Sequence, residues 1–339
     1  GRKKMRAPSW LAARKFVVAR HMRLTSLLCV LVASDMGSTV TASSTTHDEG
    51  SAMTSIAYDE SNAMTTMLYA SAAYCSPSAV LAWDVHCSPI ANFMLTDTFA
   101  FKGSVPPWVN GFAYLGVDHD RRWVLAAFKG TNDTLDWVTD VWGGEIDLET
   151  CRLSSNDTVG RVHTGFCDYY ASLAVQSVAS KYIELLGKYP GYAPMVTGHS
   201  LGGTAAVLFA YDVYETSRGA TRVQLLTFGQ PRVGDFDFST ALTSRVSSAH
   251  RVVHRQDIVP HVPLCVGLGS CDTAPGDPYH IGTEIWYTAD VFPGANHTVC
   301  NSSGEDMSCS NSVFPSYSAS DHCQYNGNVC GGCCIAPRG

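Results

Sequence analysis

The sequence predicts an α/β fold with a mostly parallel central sheet that is covered by helices on both faces. Segments with strand patterns alternate with segments of helical periodicity along most of the chain. A short apolar run before residue 198 leads directly into a helix-forming stretch, and neither an internal repeat nor a Pro/Ser-rich linker divides the sequence. This alternation favours a parallel sheet because parallel strands need crossover connections, and those connections cover both faces.

Apolar spacing sets the bounds of each predicted element, with a period of about 3.6 for helices and 2 for strands. Residues 97–110 are not assigned to any element, although Pro106 and Pro107 indicate a loop. We expect the Cys-rich segment after Tyr325 to be coil that disulfides cross-link. In chain order, the predicted elements are helix 62–74, strands 112–117 and 123–128, helix 166–186, strand 195–197, helix 201–215, strand 223–228, a short helix near 236–242, and strands 251–254 and 281–287.

The segment Gly198-His199-Ser200-Leu201-Gly202 matches the G-x-S-x-G pattern of a nucleophile elbow. In such an elbow a strand ends, the chain turns sharply at the serine, and a helix begins. The turn brings together the residues two before and two after the serine, and glycine at both positions has no Cβ to clash. We therefore predict that Ser200 is a nucleophile whose hydroxyl is exposed at the strand tip. The alternative is an ordinary glycine-rich turn.

A serine nucleophile needs a base and an orienting acid, and after an elbow their chain order is serine, acid, histidine. Asp257 follows a predicted strand, which is where such an acid is expected. His261 lies close to Asp257 in sequence, and His297 lies in an N-x-T sequon. Order alone leaves His322 with no clear preference over the other three together. The four histidines after Asp257 are His261, His280, His297 and His322.

Short motifs recur along the chain in a characteristic order. They are F-K-G-T at 128–131, V-H-T-G-F at 162–166, V-T-G-H-S-L-G-G at 196–203, T-F-G-Q-P-R-V-G at 227–234, D-I-V-P-H-V-P at 257–263, H-I-G-T-E-I-W at 280–286, C-S-N-S at 309–312 and D-H at 321–322. From about Tyr58 to Cys334 the chain therefore resembles the class 3 lipase family, the secreted fungal triacylglycerol lipases and their relatives. The resemblance implies an α/β-hydrolase fold and a catalytic triad of Ser200, Asp257 and His322.

An ester-cleaving serine also needs preorganised donors for the oxyanion of its tetrahedral intermediate. In a nucleophile elbow the residue after the serine supplies one N–H, so we predict Leu201 as a donor. The resemblance implies Thr131 as the second, through its backbone N–H and its hydroxyl. Taken alone, Thr131 also suits the N-cap of a helix, and the two roles are compatible.

The resemblance further implies a short amphipathic lid helix at residues 134–142. Leu135, Val138 and Trp142 fall at helical spacing, and Trp137 matches the tryptophan of the family's lids. In the family such a helix covers the serine in water and moves away at a lipid surface. The alternative is a surface helix whose apolar face stays buried.

The N-terminal residues resemble an extension followed by a secretory signal peptide. A mostly apolar segment follows Arg23, and small residues before residue 43 suit cleavage, with residues 31–33 as an alternative. No run reaches the ~20 apolar residues that a bilayer span needs, so we expect a secreted protein without a transmembrane anchor. We expect residues 1–42 to be the extension and signal peptide, from Met22 to about Ala42. Residues 43–339 then form a single α/β-hydrolase lipase domain with a Cys-rich C-terminal tail.

The charge balance limits the partners of this domain. Residues 1–42 hold eight of the 23 basic and one of the 30 acidic residues, so the remainder has a net charge of −14. This charge argues against nucleic acid and against tight binding to anionic membranes. It is compatible with a lipid or other ester substrate and with a neutral lipid interface. We expect no cofactor, and the oligomeric state is left open. Sequons at Asn156, Asn296 and Asn301 suit a glycosylated surface.

Thirteen cysteines indicate an oxidising compartment. Cys265 and Cys271 could close a short loop. The resemblance implies a Cys300–Cys309 disulfide and a bridge from Cys75 to one of the three tail cysteines. We expect no metal, because a zinc site at the tail would need a second C-x₂-C pair or histidines. The pairing of four cysteines is left open, namely Cys87, Cys151, Cys167 and Cys323.

The resemblance implies a triacylglycerol lipase that acts at a lipid–water interface through an acyl-enzyme. A phospholipase A1 or a feruloyl-type esterase is the near alternative, because the sequence does not define the acyl pocket. A serine peptidase could use the same machinery, but nothing marks a peptide-binding site. A catalytically inactive binding protein on this scaffold would be expected to lack part of the triad, whereas Ser200, Asp257 and His322 are all present.

Overall fold

The computed structural model describes residues 56–83, 90, 92–102, 110–131, 147–265 and 271–325. All of them belong to one compact unit that spans residues 52–339. The predicted signal segment, the predicted lid residues Leu135, Trp137 and Val138, and the tail after Tyr325 lie outside the described residues.

The secondary structure of the described part follows the predicted alternation. The strands are β1 (Phe93–Lys102), β2 (Asn110–Asp118), β3 (Trp123–Phe128), β4 (Leu148–Glu149), β5 (Val162–His163), β6 (Ala193–His199), β7 (Gln224–Phe228), β8 (Gly234–Asp235), β9 (Ser248–His254), β10 (Pro278–Tyr279), β11 (Thr283–Tyr287) and β12 (Thr298–Val299). The α-helices are α1 (Glu60–Ala72), α2 (Pro77–Leu81), α3 (Thr164–Ala174), α4 (Val178–Lys188), α5 (Leu201–Thr216) and α6 (Phe236–Thr243). Short 3-10 helices cover Val259–His261, Ser310–Val313 and Asp321–Cys323.

Eight strands form the central sheet in the order β1-β2-β3-β6-β7-β9-β11-β12. Strands β3, β6, β7, β9 and β11 run parallel, whereas the pairs at both ends of the sheet are antiparallel. Strands β4, β5, β8 and β10 form a separate antiparallel sheet. The carboxyl ends of parallel strands share one edge of a sheet, so the residues that follow β3, β6, β7 and β9 meet there.

Helices cover both faces of the central sheet, as predicted. On one face α3, α4 and α5 pack around the buried side chains of Phe166, Tyr182 and Phe209. On the other face α1 packs against β6 and β7 and buries Met67. Residues 201–213 of α5 are all buried, because small and apolar side chains surround nearly the whole helix.

The prediction of one long helix over 166–186 is wrong, since the structure has two helices, α3 and α4. Between them Ser177 adopts a left-handed backbone conformation with φ 62° and ψ 34°. The amides of Gln176 and Ser177 bond to carbonyls three residues back, which closes α3 with a tight turn. The apolar period continues across the break, so the sequence pattern did not reveal it.

Residues 97–110, which the sequence pattern leaves unassigned, belong in part to the central sheet. Strand β1 extends to Lys102 and pairs with β2 along its whole length. The register shifts between Leu95 and Asp97, and such a bulge interrupts the alternation of side chains between the two faces. The bulge therefore removes the period-2 pattern on which the strand prediction depends.

Disulfides cross-link the loops around the sheet. They join the described cysteines in the pairs Cys151–Cys167, Cys265–Cys271 and Cys300–Cys309. The second and third pairs confirm the predictions, and the first answers a pairing that the sequence left open. Cys75 and Cys323 each take part in a disulfide as well. Among the described helices, none combines the length and the apolar character needed to cross a membrane.

Candidate active site

Ser200 lies in a sharp turn between the end of β6 and the start of α5. Its backbone has φ 59° and ψ −132°, a conformation that residues other than glycine rarely adopt. The Ser200 N–H donates to Phe228 O at 2.9 Å, which ties the turn to β7. A Cβ on Gly198 would lie 2.2 Å from Gly202 O. Both glycines are therefore required for this turn, as the elbow motif predicted.

The Ser200 side chain is fully buried, with 0% of its surface exposed. The prediction of an exposed hydroxyl at the strand tip is therefore wrong for this conformation. The neighbouring side chains of Leu201 and His322 are buried as well, because the chain packs over this edge of the sheet. Any molecule that reaches the hydroxyl must first displace some of this packing.

Asp257 and His322, predicted as partners, are in direct contact. Asp257 follows β9 by three residues, and His322 lies in the 3-10 helix Asp321–Cys323. His322 Nδ1 lies 3.0 Å from Asp257 Oδ1 and 2.9 Å from Oδ2. A carboxylate only accepts hydrogen bonds, so Nδ1 bears the proton and Nε2 is left as an acceptor.

The other ring nitrogen of His322 has no protein partner among the described residues. His322 Nε2 and Ser200 Oγ are both buried, and neither makes a hydrogen bond there. The His322 ring stacks on the ring of His199, the residue before Ser200, with the centroids 4.5 Å apart. Buried polar atoms without partners are rare in folded proteins. A nucleophile and its base are an exception, because their hydrogen bond often tightens only when substrate is bound.

Asp257 accepts two further hydrogen bonds that the sequence did not predict. Tyr325 donates its hydroxyl to Asp257 Oδ2 at 2.6 Å, and the Val259 N–H donates to Oδ1 at 2.9 Å. The Tyr325 hydroxyl in turn accepts the His254 N–H at 3.2 Å. Burial raises the pKa of Tyr325 well above its usual value, and the charge of Asp257 adds to this, so Tyr325 stays a neutral donor. Its position three residues after His322 was the available sequence signal.

The remaining candidate histidines have other partners or lie at the surface. His261 Nδ1 lies 3.2 Å from Asn311 Oδ1, and His280 Nε2 donates to a backbone carbonyl at 2.6 Å. Burial, followed by the charge of Arg232, lowers the pKa of His261 to about 3. His297 lies in an exposed loop. Of the four histidines, the structure brings only His322 to the predicted acid within the described residues.

A buried ion pair holds the turn that follows Asp257. Arg232 pairs with Glu305 through contacts of 2.8 and 3.0 Å, and both side chains are buried. Burial alone would raise the pKa of Glu305, but Arg232 outweighs it and lowers that pKa. Arg232 Nη1 also donates to His261 O at 2.7 Å and to Pro263 O at 3.0 Å. The ionised pair therefore fixes the backbone that positions Asp257.

The predicted oxyanion donors lie at the same edge of the sheet as the elbow. Leu201 is the first residue of α5, and the first-turn amides of a helix have no acceptor within the helix. Thr131 is buried and follows Gly130 just after β3. A Cβ on Gly202 would lie 2.2 Å from Phe128 O and 2.9 Å from Gly130 N. The strand end before Thr131 therefore packs directly against the first turn of α5.

One group of metal-binding residue types lies in the described part, formed by Glu284, Cys300 and Cys309. The two cysteines are joined in a disulfide. Zinc binds cysteine as the thiolate, which a disulfide does not provide. This group therefore does not fit a metal site.

Comparison with known proteins identifies the family. The family described as Lipase (class 3) matches residues 125–267. A lipase of Rhizomucor miehei is 32% identical over 256 residues, which cover 74% of this chain and 64% of that protein. The chain belongs to the class 3 lipase family. The family match includes Thr131, Ser200 and Asp257 but ends before His322, so in this class 3 family member the structure supplies the link between His322 and Asp257.

Two further comparisons extend this result. Secreted mono- and diacylglycerol lipase 1 of Fusarium solani is 31% identical over 209 residues, which cover 61% of this chain and 60% of that protein. This class 3 family member therefore spans less than two thirds of the length of either relative. The solved structure of a triacylglycerol lipase, described as having a serine protease triad as its catalytic centre, has a TM-score of 0.67 and 28% identity. The matched region covers 82% of this chain and 98% of the triacylglycerol lipase chain. This match confirms the α/β-hydrolase fold.

Proposed function

We propose that this chain is a secreted carboxylic ester hydrolase that cleaves acylglycerols. One observation supports the activity best. His322 Nδ1 bonds to Asp257 in a buried site, while His322 Nε2 and Ser200 Oγ have no hydrogen-bond partner among the described residues. A nucleophile and its base need this combination, because the acid fixes the tautomer that leaves Nε2 free to accept a proton. The strained backbone of Ser200 supports the same role.

The proposed reaction passes through an acyl-enzyme. His322 Nε2 takes the Ser200 proton as Oγ bonds to the ester carbonyl carbon, and the carbonyl oxygen becomes an oxyanion. The intermediate collapses, the ester C–O bond breaks, and the leaving alcohol takes the proton from His322. Water then attacks the acyl group on Ser200 by the same steps and releases the fatty acid. Asp257 stabilises the imidazolium that forms in each half.

Leu201 and Thr131 are the proposed oxyanion donors, through both backbone N–H groups and the Thr131 hydroxyl. The close packing of Gly202 against the strand end at Gly130 supports this assignment, because it brings both segments beside the elbow. One such donor typically contributes about 3 kcal/mol to transition-state stabilisation. The N-terminus of α5 adds a partial positive charge at the same place.

Acylglycerols are the proposed substrates because the relatives are named a lipase and a mono- and diacylglycerol lipase. A net charge of −14 over residues 43–339 disfavours an anionic surface and suits a neutral ester interface. Because Ser200 is buried, substrate binding requires a rearrangement. We propose that the segment that moves is the predicted lid at residues 134–142. The predicted signal peptide and the disulfides support secretion.

Ser200→Ala tests the proposed nucleophile. We expect ester hydrolysis to fall about 10⁴-fold or more, because the hydroxyl forms the covalent intermediate, while the urea midpoint of unfolding stays unchanged. Ser155→Ala, at an exposed serine, is the matched control and should keep full activity. Hydrolysis by Ser200→Ala within about tenfold of the wild-type rate would contradict the proposal.

A substrate panel separates the near alternatives. Glycerol esters, phospholipids and hydroxycinnamate esters of several acyl lengths are given to purified residues 43–339. The proposal requires the highest kcat/KM on acylglycerols. The highest value on phospholipids would identify a phospholipase A1, and the highest on hydroxycinnamates a feruloyl-type esterase. Folded protein that cleaves none of them would overturn ester hydrolysis altogether.

A further inference from the structure

His199 contacts His322 in two ways, although the proposed reaction does not use it. The two rings stack with an interplanar angle of 29°, and His199 Nε2 lies 2.9 Å from the backbone oxygen of His322. His199 is fully buried and directly precedes Ser200 in the chain. One residue therefore contacts the base and is covalently joined to the nucleophile.

The hydrogen bonds of His199 define its tautomer. The His322 carbonyl can only accept, so His199 Nε2 bears the proton and Nδ1 is the acceptor. Tyr74 donates its hydroxyl to that Nδ1 at 2.9 Å, and His199 O, at 3.4 Å from the same hydroxyl, is a weaker second acceptor. Burial, followed by the charge of His322, lowers the pKa of His199 to about 3, which agrees with a neutral ring.

Tyr74 connects His199 and His322 to the strand end that precedes the proposed oxyanion donor. It follows the C-terminal end of α1 and is buried. Gly130 packs directly against the Tyr74 hydroxyl, because a Cβ on Gly130 would lie 2.1 Å from that oxygen. Only glycine at this position lets the hydroxyl come so close. Gly130 directly precedes Thr131, the proposed oxyanion donor.

We propose that Tyr74 and His199 are positioning residues that fix His322 relative to both Ser200 and the strand end at Gly130. Gly130 packs against the Tyr74 hydroxyl, and hydrogen bonds lead from that hydroxyl through the His199 ring to the His322 carbonyl, so the contacts form one continuous chain. The inference rests on the proposed function, because positioning matters only if His322 is the base.

The physical reason is that the parts of the site come from four separate segments of the chain. These segments hold Ser200, Asp257, His322 and the strand end at Gly130. Asp257 holds the His322 ring at Nδ1, but that contact alone does not set the distance from Nε2 to the Ser200 hydroxyl. The His199 bond fixes the His322 backbone, and its ring covers one face of the imidazole. A displacement of about 1 Å at a reacting group can lower a rate ~100-fold.

Two substitutions at His199 separate the hydrogen bond from the rest of the side chain. A Gln side chain can place an N–H near the position of His199 Nε2, whereas Asn is one carbon shorter and reaches only the Nδ1 position. Both lose the ring stack. We expect His199→Asn to lower kcat roughly 30- to 100-fold at nearly constant KM on a soluble short-chain ester, and His199→Gln to lower it by less than about fivefold.

Tyr74→Phe removes only the hydroxyl and keeps the ring, so it remains informative if His199→Asn does not fold. We expect it to lower kcat roughly three- to tenfold with KM unchanged. All rates are divided by the concentration of active sites, measured by titration with a p-nitrophenyl phosphonate. This correction removes any loss that comes only from unfolded protein.

Equal kcat values for His199→Asn and His199→Gln, or a folded Tyr74→Phe with the wild-type kcat, would overturn the inference. Failure of the proposed function is seen separately in the wild-type protein. In that case the phosphonate does not label Ser200 and the wild type cleaves no ester.

Discussion

Two buried tyrosines, one near each end of the described chain, are each linked to His322 through one other residue. Tyr74 donates to His199 Nδ1 at 2.9 Å, and His199 bonds to the backbone of His322. Tyr325, the last described residue, donates to Asp257 Oδ2 at 2.6 Å, and Asp257 bonds to the His322 ring. The first set of contacts, the Tyr74 route, fixes the position of the imidazole. The second set, the Asp257 route, fixes its tautomer and stabilises its charged form.

The two routes differ most in the acceptor. A hydrogen bond to a charged group contributes about 1.5–3 kcal/mol to stability, whereas one between neutral groups contributes about 0.5–1.5 kcal/mol. Asp257 is a buried carboxylate, and His199 is a neutral ring. Damage to the Asp257 route should therefore cost more activity than damage to the Tyr74 route.

Gly229 offers the strongest test of the Asp257 route, because it lies against the acid and the base together. Its φ is +54°, and a Cβ there would lie 2.9 Å from both Asp257 Oδ2 and His322 Nδ1. We expect Gly229→Ala to push the pair apart and to lower kcat about 100-fold, as displacements near 1 Å can do. Steady-state kinetics on a soluble ester, corrected for active sites, measure the loss.

Gly187→Ala is the matched control. Gly187 lies in α4, and apart from its chain neighbours and the backbone of its own helix no atom lies within 4 Å of the position of its Cβ. This variant should keep the wild-type kcat, and alanine in the helix should raise the free energy of unfolding by about 0.5–1 kcal/mol. If Gly229→Ala is as active as Gly187→Ala, the pair tolerates displacement and the Asp257 route is not the stronger one.

Tyr325→Phe tests the hydrogen bond to Asp257 with a smaller expected effect. The substitution removes the donor to Asp257 and the acceptor of the His254 N–H, but it keeps the buried ring. We expect kcat to fall about tenfold with little change in KM, and the free energy of unfolding to fall by about 2 kcal/mol. Kinetics and urea unfolding measure the two effects.

Tyr182→Phe provides the comparison for that loss. Tyr182 is another buried tyrosine, and it donates to Val124 O at 2.9 Å near the start of β3, whereas the elbow follows the end of β6. Its substitution should lower stability and leave kcat unchanged. Equal kcat values in Tyr182→Phe and Tyr325→Phe would mean that Tyr325 acts only on stability.

Local motifs explain why the sequence located the main site residues and missed the tyrosines. The elbow around Ser200 lies within five consecutive residues, and Asp257 follows from chain order, although His322 required the family resemblance. The Tyr74–His199 and Tyr325–Asp257 contacts join residues 125 and 68 positions apart. No local pattern specifies such pairs, and a buried tyrosine in sequence resembles any other core aromatic residue.

The fold shows the same division between local and long-range information. Predicted strand 123–128 coincides with β3 because it is a short apolar run between polar turns. Prediction failed where backbone geometry departs from the local pattern: the left-handed Ser177 divides one predicted helix, and the bulge near Leu95 lies in a strand that the sequence pattern leaves unassigned. The burial of Ser200 also depends on distant segments that cover the sheet edge, so the elbow motif could not predict it.

The Tyr74 route requires an uncharged His199, which predicts a pH dependence of stability. Burial, followed by the charge of His322, lowers the pKa of His199 from its usual 6.5 to about 3. Among the described residues, the titratable groups that face this ring are Asp257, His322, Tyr74 and Tyr325, whose ring lies edge-on with its centroid 5.4 Å away. Below pH 6.5 the unfolded chain binds a proton at His199, whereas the folded chain does not until about pH 3. Stability from this residue is therefore complete above pH 6.5 and is lost as the pH falls through this window.

His199→Gln removes the titrating ring and has the smallest expected effect. The free energy of unfolding should depend less steeply on pH between about pH 4 and 6, by up to about 1.4 kcal/mol per pH unit. Urea unfolding across that range measures the slope. Tyr74→Phe keeps the ring and should keep most of the wild-type slope while losing stability evenly. Equal slopes in wild type and His199→Gln would mean that folded His199 is protonated at Nδ1, where it could not accept the Tyr74 hydroxyl, and the Tyr74 route would then fail.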